Sequence, residues 1–230
     1  MVPKEVIRMA ERLAGKGEVG GLRLLVRMAL LPLQAQAALH WAKPSEDKSS
    51  PFRRPRKWTK PSEDTTRFLL DRVIPTEVLQ ALKHRGAGPL LQGGKIFVLD
   101  LGLHPAVSLP WNPDRVAWTL AWIGKRKWMY DPVNHGAYFY RPLGVGFFCG
   151  GMHSGMAGIL KREGCLPATE VDLTPLYAAG LRVEWRTEGL FRGEEKPFAV
   201  VGKLARPMNH PHHALLLALG EVLHRHGISL

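Results

Sequence analysis

Apolar residues recur three and four positions apart in the N-terminal part of the chain. Residues 4–14 follow this spacing and run into the glycine-rich stretch GKGEVGG, which predicts one amphipathic helix. Residues 22–42 predict a second helix, either continuous or bent at Pro32. Arginines, glutamines and Pro32 interrupt this apolar segment, whereas a transmembrane helix needs roughly 20 nearly uninterrupted apolar residues. We therefore expect helices of a soluble protein, no signal peptide and no membrane partner.

The composition changes between residues 43 and 66. This stretch, KPSEDKSSPFRRPRKWTKPSEDTT, is poor in aliphatic residues and rich in proline, serine and charge. Such a composition is typical of a linker or a mobile loop. The predicted organisation is therefore a helical segment over 1–42, a basic linker or loop over 43–66 and a main α/β domain over 67–230.

Strand and helix patterns alternate from residue 95 onward. KIFVLDL, ATEVDL, GLRVEWRT and PFAVVGKLA each predict a strand, and AYFYRPLGVGFFCG predicts one strand or two with a bend at 142–144. NPDRVAWTLAWIG, SGMAGILKREG and HHALLLALGEVLHRHG predict helices, as TRFLLDRVI and TEVLQALKHRGAG do upstream. We predict an α/β (α+β) fold with a small mixed sheet, an N-terminal helical extension and a C-terminal helix.

The segment GVGFFCGGMHS predicts a strand, a glycine turn and the start of a helix. Ser154 is expected to cap that helix by accepting a backbone amide. Amides at a helix N-terminus behind a glycine turn also attract anions. Two interpretations stay open: a turn that packing alone requires, or an anion site formed by Gly150, Gly151 and Gly155 beside His153.

This segment resembles the signature of the ParB/sulfiredoxin-like superfamily. There a strand leads into a D-G-N-H-R or G-x-R-R type turn, then an alanine-rich helix, a glycine and a strand with a P-x-x-V pattern. The matching positions here are Gly151, His153, Ala157, Gly164, Pro167 and Val171. YRPLGVGFFCGGMHSGMAGI is also similar to an uncharacterised bacterial family with a P-L-G…G-N-H-S…G-I core, whose upstream N-H pair matches Asn134 and His135.

The resemblance implies a ParB-like core over about residues 95–175, association with nucleic acid and a site at the glycine turn. Gly150, Met152 and Ser154 stand where the superfamily has an acidic residue, an asparagine and an arginine. That arginine helps to grip phosphates in ParB-type nucleotide hydrolases. The resemblance therefore implies the fold and the position of the turn, and it does not imply the reaction.

Three histidines are candidates for chemistry. His135 lies upstream of the motif strand and would meet His153 if that strand returns to the turn, and His104 follows the first strand of the domain. Two imidazoles can act as acid and base near neutral pH, and three can bind a metal ion. The predicted catalytic set is His135, His153 and Ser154, and the predicted metal set is His104, His135 and His153. The alternative for each histidine is a hydrogen-bonded structural role.

Basic residues outnumber acidic ones, with 32 Lys and Arg against 20 Asp and Glu and a formal net charge of +12. Such an excess favours a polyanionic partner, nucleic acid first. Two segments combine cations with a tryptophan that could stack on an exposed base. Their residues are Arg53, Arg54, Arg56, Lys57, Trp58 and Lys60 in the first, and Lys125, Arg126, Lys127 and Trp128 in the second. The alternative is that both are merely solvated charge runs.

Three functions stay open from the sequence. The first is a nucleic-acid-associated ParB-like protein with phosphate chemistry at the turn, as a phosphodiesterase, nuclease or nucleotide hydrolase. The second is a non-enzymatic DNA- or RNA-binding module of a larger assembly, and the third is a nucleotide-dependent small-molecule enzyme. A divalent metal or a nucleotide is the candidate cofactor. Cys149 and Cys165 form no CxxC pair, which disfavours a zinc ribbon or a secreted disulfide scaffold and favours the cytoplasm.

Overall fold

The computed structural model describes residues 3–42, 73–88, 90–110, 113–187 and 195–230. The helices within these ranges are α1 (Pro3–Gly15), α2 (Val19–Ala42), α3 (Thr76–His84), α4 (Pro113–Gly124), α5 (Met152–Lys161), α6 (Thr174–Ala178) and α7 (Pro211–Arg225). The strands are β1 (Leu91–Asp100), β2 (Ala106–Val107), β3 (Gly136–Arg141), β4 (Val145–Gly150), β5 (Cys165–Asp172), β6 (Arg182–Thr187), β7 (Glu195–Val201) and β8 (Leu204–Pro207).

The central sheet is mixed and has five strands in the order β1-β5-β3-β4-β2. β3 pairs antiparallel with β4 and parallel with β5, and β5 pairs antiparallel with β1. The chain turns between β3 and β4 at residues 142–144, so the two-strand alternative for AYFYRPLGVGFFCG is correct. A second sheet has the order β6-β7-β8.

The two faces of the central sheet belong to two apolar clusters because side chains alternate along each strand. Tyr138 and Tyr140 on β3 pack in a cluster that also contains residues of α1, α2, α3 and α7. Phe139 points to the opposite face, where Phe148 and Ala157 of α5 complete the second cluster. The N-terminal helices thus share a core with the sheet, and α5 covers the other face.

The predicted α/β class, the mixed sheet, the N-terminal helices and the C-terminal helix are confirmed. One strand prediction is wrong: PFAVVGKLA forms the β7–β8 hairpin, which turns at Gly202 with φ at +59°. α2 continues through Pro32 as one helix. The predicted linker over 43–66 lies outside the described residues. The helix predicted from TRFLLDRVI also lies outside them, except for its last two residues. In the described part, no helix is long and apolar enough to cross a membrane.

Candidate functional site

The turn between β4 and α5 depends on a glycine in a left-handed conformation. Gly151 has φ +62° and is the N-cap residue of α5. A Cβ at this position would lie 2.1 Å from Cδ2 of His135, so no other residue fits without moving that ring. The prediction that Ser154 caps the helix is wrong, because Ser154 lies inside α5 and its hydroxyl donates to the Gly151 carbonyl at 2.9 Å.

An open cleft of about 690 Å³ lies beside this turn. Its walls come from α4, from the segment 126–135 that follows α4, and from the first turn of α5. His135, Gly151, His153 and Ser154 all line it, so the structure brings the predicted catalytic set to one place. Helix geometry leaves the first amides of α5 without intrahelical acceptors at the same wall.

His135 is held in one tautomer. The Asp131 amide donates to its Nδ1 at 2.9 Å, so Nδ1 carries no hydrogen. The proton of the neutral ring is therefore on Nε2, which lies 2.5 Å from Ser154 Oγ and donates to it. Burial lowers the pKa of His135 below its ordinary value, and the nearby Asp131 carboxylate offsets part of this effect. The neutral ring is thus a donor to Ser154 in this arrangement rather than a base that accepts its proton.

The same turn occurs a second time in the chain. At Asp131–His135 and at Asp100–His104, the aspartate amide donates to Nδ1 of the histidine four residues on. In both, the histidine amide donates to the aspartate carbonyl at 2.8 Å, and the carboxylate accepts the amide two residues on. His104 makes no contact with Ser154; its ring instead packs edge-on against Phe97, with centroids 5.0 Å apart. We call this arrangement the Asp–His turn.

Trp128 is a structural residue of the site. Its side chain is only 5% exposed, its Nε1 donates to the Ser154 carbonyl at 2.7 Å, and its ring stacks on His135 with centroids 4.7 Å apart. A Cβ on Gly164 would lie 2.1 Å from this ring. This buried position contradicts the prediction that Trp128, beside the cations of GKRKW, stacks on an exposed base.

The outer wall of the cleft carries aromatic and cationic side chains in a row. Trp118 and Trp122 lie one helical turn apart on α4 with nearly parallel rings, at an interplanar angle of 6° and a centroid distance of 6.0 Å. Arg126 continues the row with its guanidinium 4.8 Å from the Trp122 ring. We call Trp118, Trp122 and Arg126 the aromatic ladder. The two tryptophans are 67% and 48% exposed, which is unusual for side chains of this size.

The cleft is electropositive. Among the described residues, Arg115, Arg126 and Lys127 line it against a single carboxylate, that of Asp131. Arg126 and Lys127 were predicted from the sequence, whereas the predicted Lys125 is exposed and does not line the cleft. The basic patch predicted at Arg53, Arg54, Arg56, Lys57, Trp58 and Lys60 lies outside the described residues.

The predicted three-histidine metal site does not form, because His104 does not line the cleft that holds His135 and His153. Its ring sits in its own Asp–His turn against Phe97. Among the residues that the structure describes, no three His, Cys, Asp or Glu side chains come together as metal ligands. Of the other predicted anion-binding glycines, Gly150 ends β4, and Gly155 is buried where a Cβ would lie 2.6 Å from the Phe148 ring.

Sequence reasoning missed Trp118, Trp122 and Arg115. Two signals pointed to them: the tryptophans are spaced i, i+4, and Arg115 lies three residues before the first of them. The buried face of α4 instead carries Val116, Thr119 and Ile123, which leaves the tryptophans on a different face. The repeated D-x-x-x-H spacing was the signal for the Asp–His turns.

Comparisons with known proteins place the chain in a family. Searches among curated proteins and among solved structures found no match. The resemblance to the ParB/sulfiredoxin-like superfamily therefore stays a prediction. One family model matches residues 4–189, which is most of the chain and includes the cleft, the Asp–His turns and the glycine turn. On this match, the chain belongs to the family of unknown function DUF6710.

Proposed function

We propose that the cleft binds single-stranded nucleic acid, with bases on the aromatic ladder and phosphates at the cations around it. The observation that carries the proposal is the pair of exposed, parallel tryptophans with an arginine continuing the stack. Stacking of a base on an aromatic side chain contributes about 1–3 kcal/mol and tolerates any base. Duplex DNA hides its base faces, so the ladder favours a single strand.

The charge around the ladder supports the same ligand. Arg115, Arg126 and Lys127 outnumber Asp131 in the cleft, and the whole chain has a formal charge of +12. Several cations in one cleft suit a ligand with repeated phosphates. If the basic patch over 53–60 also contacts nucleic acid, it adds phosphate contacts to those of the cleft.

The test is the anisotropy of a labelled single-stranded oligonucleotide titrated with protein at several salt concentrations. Trp118→Ala should weaken binding by about 2 kcal/mol, or about thirtyfold. Arg126→Gln should lower the slope of log K against log salt by about 0.7, the value for one lost phosphate contact on a single strand. Duplex of the same sequence should bind less tightly than the single strand.

The chain offers matched controls. Leu24 on α2 is 66% exposed and Trp118 is 67% exposed, so Leu24→Ala removes a comparably exposed apolar side chain that does not line the cleft. Arg186 lies over the Phe198 ring at 5.1 Å, so Arg186→Gln removes a second arginine–aromatic contact outside the cleft. If the control variants and the cleft variants lose affinity equally, the cleft is not the binding site.

A second candidate function is phosphoester hydrolysis, which the presence of His153 in the electropositive cleft favours. His153 would act as acid or base, because the tautomer of His135 makes that ring a donor to Ser154. His153→Ala should then abolish turnover of a single-stranded oligonucleotide while leaving its affinity within about threefold, less than 1 kcal/mol. Turnover that survives in the variant rules out this role for His153.

A further inference from the structure

A continuous hydrogen-bond chain links two of the three walls of the cleft, the segment 126–135 and the first turn of α5. It runs from the Asp131 amide to His135 Nδ1, from His135 Nε2 to Ser154 Oγ at 2.5 Å, and from Ser154 to the Gly151 carbonyl at 2.9 Å. Each donor has one acceptor, so the direction of every proton in the chain is determined. The loop that carries Tyr130 and Asp131 is thereby tied to the first turn of α5.

The packing around this chain leaves the imidazole no freedom to turn. Trp128 stacks on the ring, Tyr130 lies with its centroid 6.1 Å away, and Gly151 approaches so closely that a Cβ would overlap the ring. A flip of the His135 ring would place a carbon where Nδ1 accepts the Asp131 amide and would break the hydrogen bond from Nε2 to Ser154.

We propose that His135 is a positioning residue: in its Nε2–H tautomer it holds the segment 126–135 against α5 and so keeps the cleft in the form that takes its ligand. This inference rests on the proposed function for the identity of that ligand, a single-stranded oligonucleotide. It assigns Ser154 the role of a relay in the same hydrogen-bond chain and not that of a nucleophile.

The second Asp–His turn shows that the positioning role of His135 depends on more than its contacts within its own turn. His104 accepts the Asp100 amide at Nδ1 as His135 accepts the Asp131 amide, but its Nδ1 also lies 3.2 Å from the Asp100 carbonyl oxygen and its ring lies outside the cleft. A purely local role would make the two histidines equivalent. The bond to Ser154 is what connects His135 to the opposite wall of the cleft.

The first experiment needs no ligand. Nitrogen NMR of protein labelled in its histidine rings, assigned with His135→Gln, should show His135 at neutral pH protonated on Nε2 and unprotonated on Nδ1. A ring protonated on Nδ1, or on both nitrogens, overturns the inference whether or not the protein binds nucleic acid. Absence of oligonucleotide binding by the wild-type protein would instead contradict the proposed function.

The second experiment compares oligonucleotide affinities at a temperature where every variant is folded. His135→Leu removes both hydrogen bonds of the ring, each with a modest net contribution, and should weaken binding about tenfold. His135→Gln places an amide donor near the Nε2 position and should restore most of the affinity. Ser154→Ala should match His135→Leu.

The control is the equivalent pair of changes at the other turn. His104→Leu and His104→Gln should leave the affinity unchanged within about twofold, less than 1 kcal/mol. Equal losses for His104→Leu and His135→Leu, or a His135→Gln variant as weak as His135→Leu, would overturn the positioning role.

Discussion

Replacing Trp128 by phenylalanine tests whether Trp128 stabilises the fold, in contrast to the aromatic ladder, which we propose binds the ligand. Trp128 is 5% exposed and donates from Nε1 to the Ser154 carbonyl at 2.7 Å, a bond that phenylalanine cannot make. The six-membered ring that remains still fills part of the space beneath His135. The substitution therefore removes one hydrogen bond and a few buried ring atoms while keeping the fold.

The magnitude follows from these two losses. A buried hydrogen bond contributes a net 0.5–1.5 kcal/mol, roughly, and each buried carbon lost costs about 0.8 kcal/mol. Trp128→Phe should therefore lower the free energy of unfolding by about 2 kcal/mol. For a chain of this size such a loss lowers the Tm by about 4–8 °C.

The assay is thermal unfolding followed by circular dichroism, with oligonucleotide affinity measured on the same samples well below the Tm. Trp118→Ala is the matched comparison, because Trp118 is 67% exposed and its loss should change stability by no more than about 0.5 kcal/mol. We expect Trp128→Phe to lose stability and Trp118→Ala to lose affinity. A Trp128→Phe protein that melts as the wild type does, yet loses ligand, would refute the assignment of the two roles.

Two further predictions test the turn and the C-terminal helix. Gly151→Ala should lower the free energy of unfolding by about 3 kcal/mol, because it adds left-handed strain and overlap with His135. Gly17→Ala is the control: Gly17 has φ +68° and nothing within 4 Å of an added Cβ, so the change should cost only the strain of about 1–2 kcal/mol. Equal losses of the two variants in urea denaturation would contradict the close contact of Gly151 with His135. Burial lowers the pKa of His213 to about 4, so the unfolded chain takes up its proton first and stability should fall by about 2 kcal/mol as pH drops from 7.5 to 5. This ring is neutral in both states only well above pH 6.5, so its contribution is complete there and is lost as pH falls toward 4. His213→Leu should remove that part of the pH dependence, and an unchanged dependence would show that His213 does not cause it.

The sequence predicted the elements that depend on local pattern. The i, i+3, i+4 spacing identified α1, α2 and α7, and the glycines after Phe148 located the turn into α5. The sequence also indicated that His135 would lie near the glycine turn if the following strand returned to it; the β3–β4 hairpin does so, and His135, His153 and Ser154 line one cleft. Each of these results follows from contacts between neighbours along the chain or across one hairpin.

The features that the sequence did not predict depend on tertiary packing. Trp128 and Trp122 both lie near lysine and arginine residues, and only the fold distinguishes them. Trp128 packs against α5 and Gly164 and is 5% exposed, whereas Trp122 stays 48% exposed. The helix cap was placed three residues too late because the N-cap residue is Gly151, which is left-handed and has no space for a Cβ beside His135. Neither contact has a signature within its own segment.

The central claim is that single-stranded nucleic acid lies on the aromatic ladder. Photocrosslinking of an oligonucleotide that contains iodouracil, followed by tryptic digestion and mass spectrometry, tests it most directly. The peptide over residues 116–125 carries both Trp118 and Trp122, and we expect the principal crosslink there, lost in Trp118→Ala. Crosslinks confined to other peptides, such as those of the basic patch over 53–60, would contradict the claim.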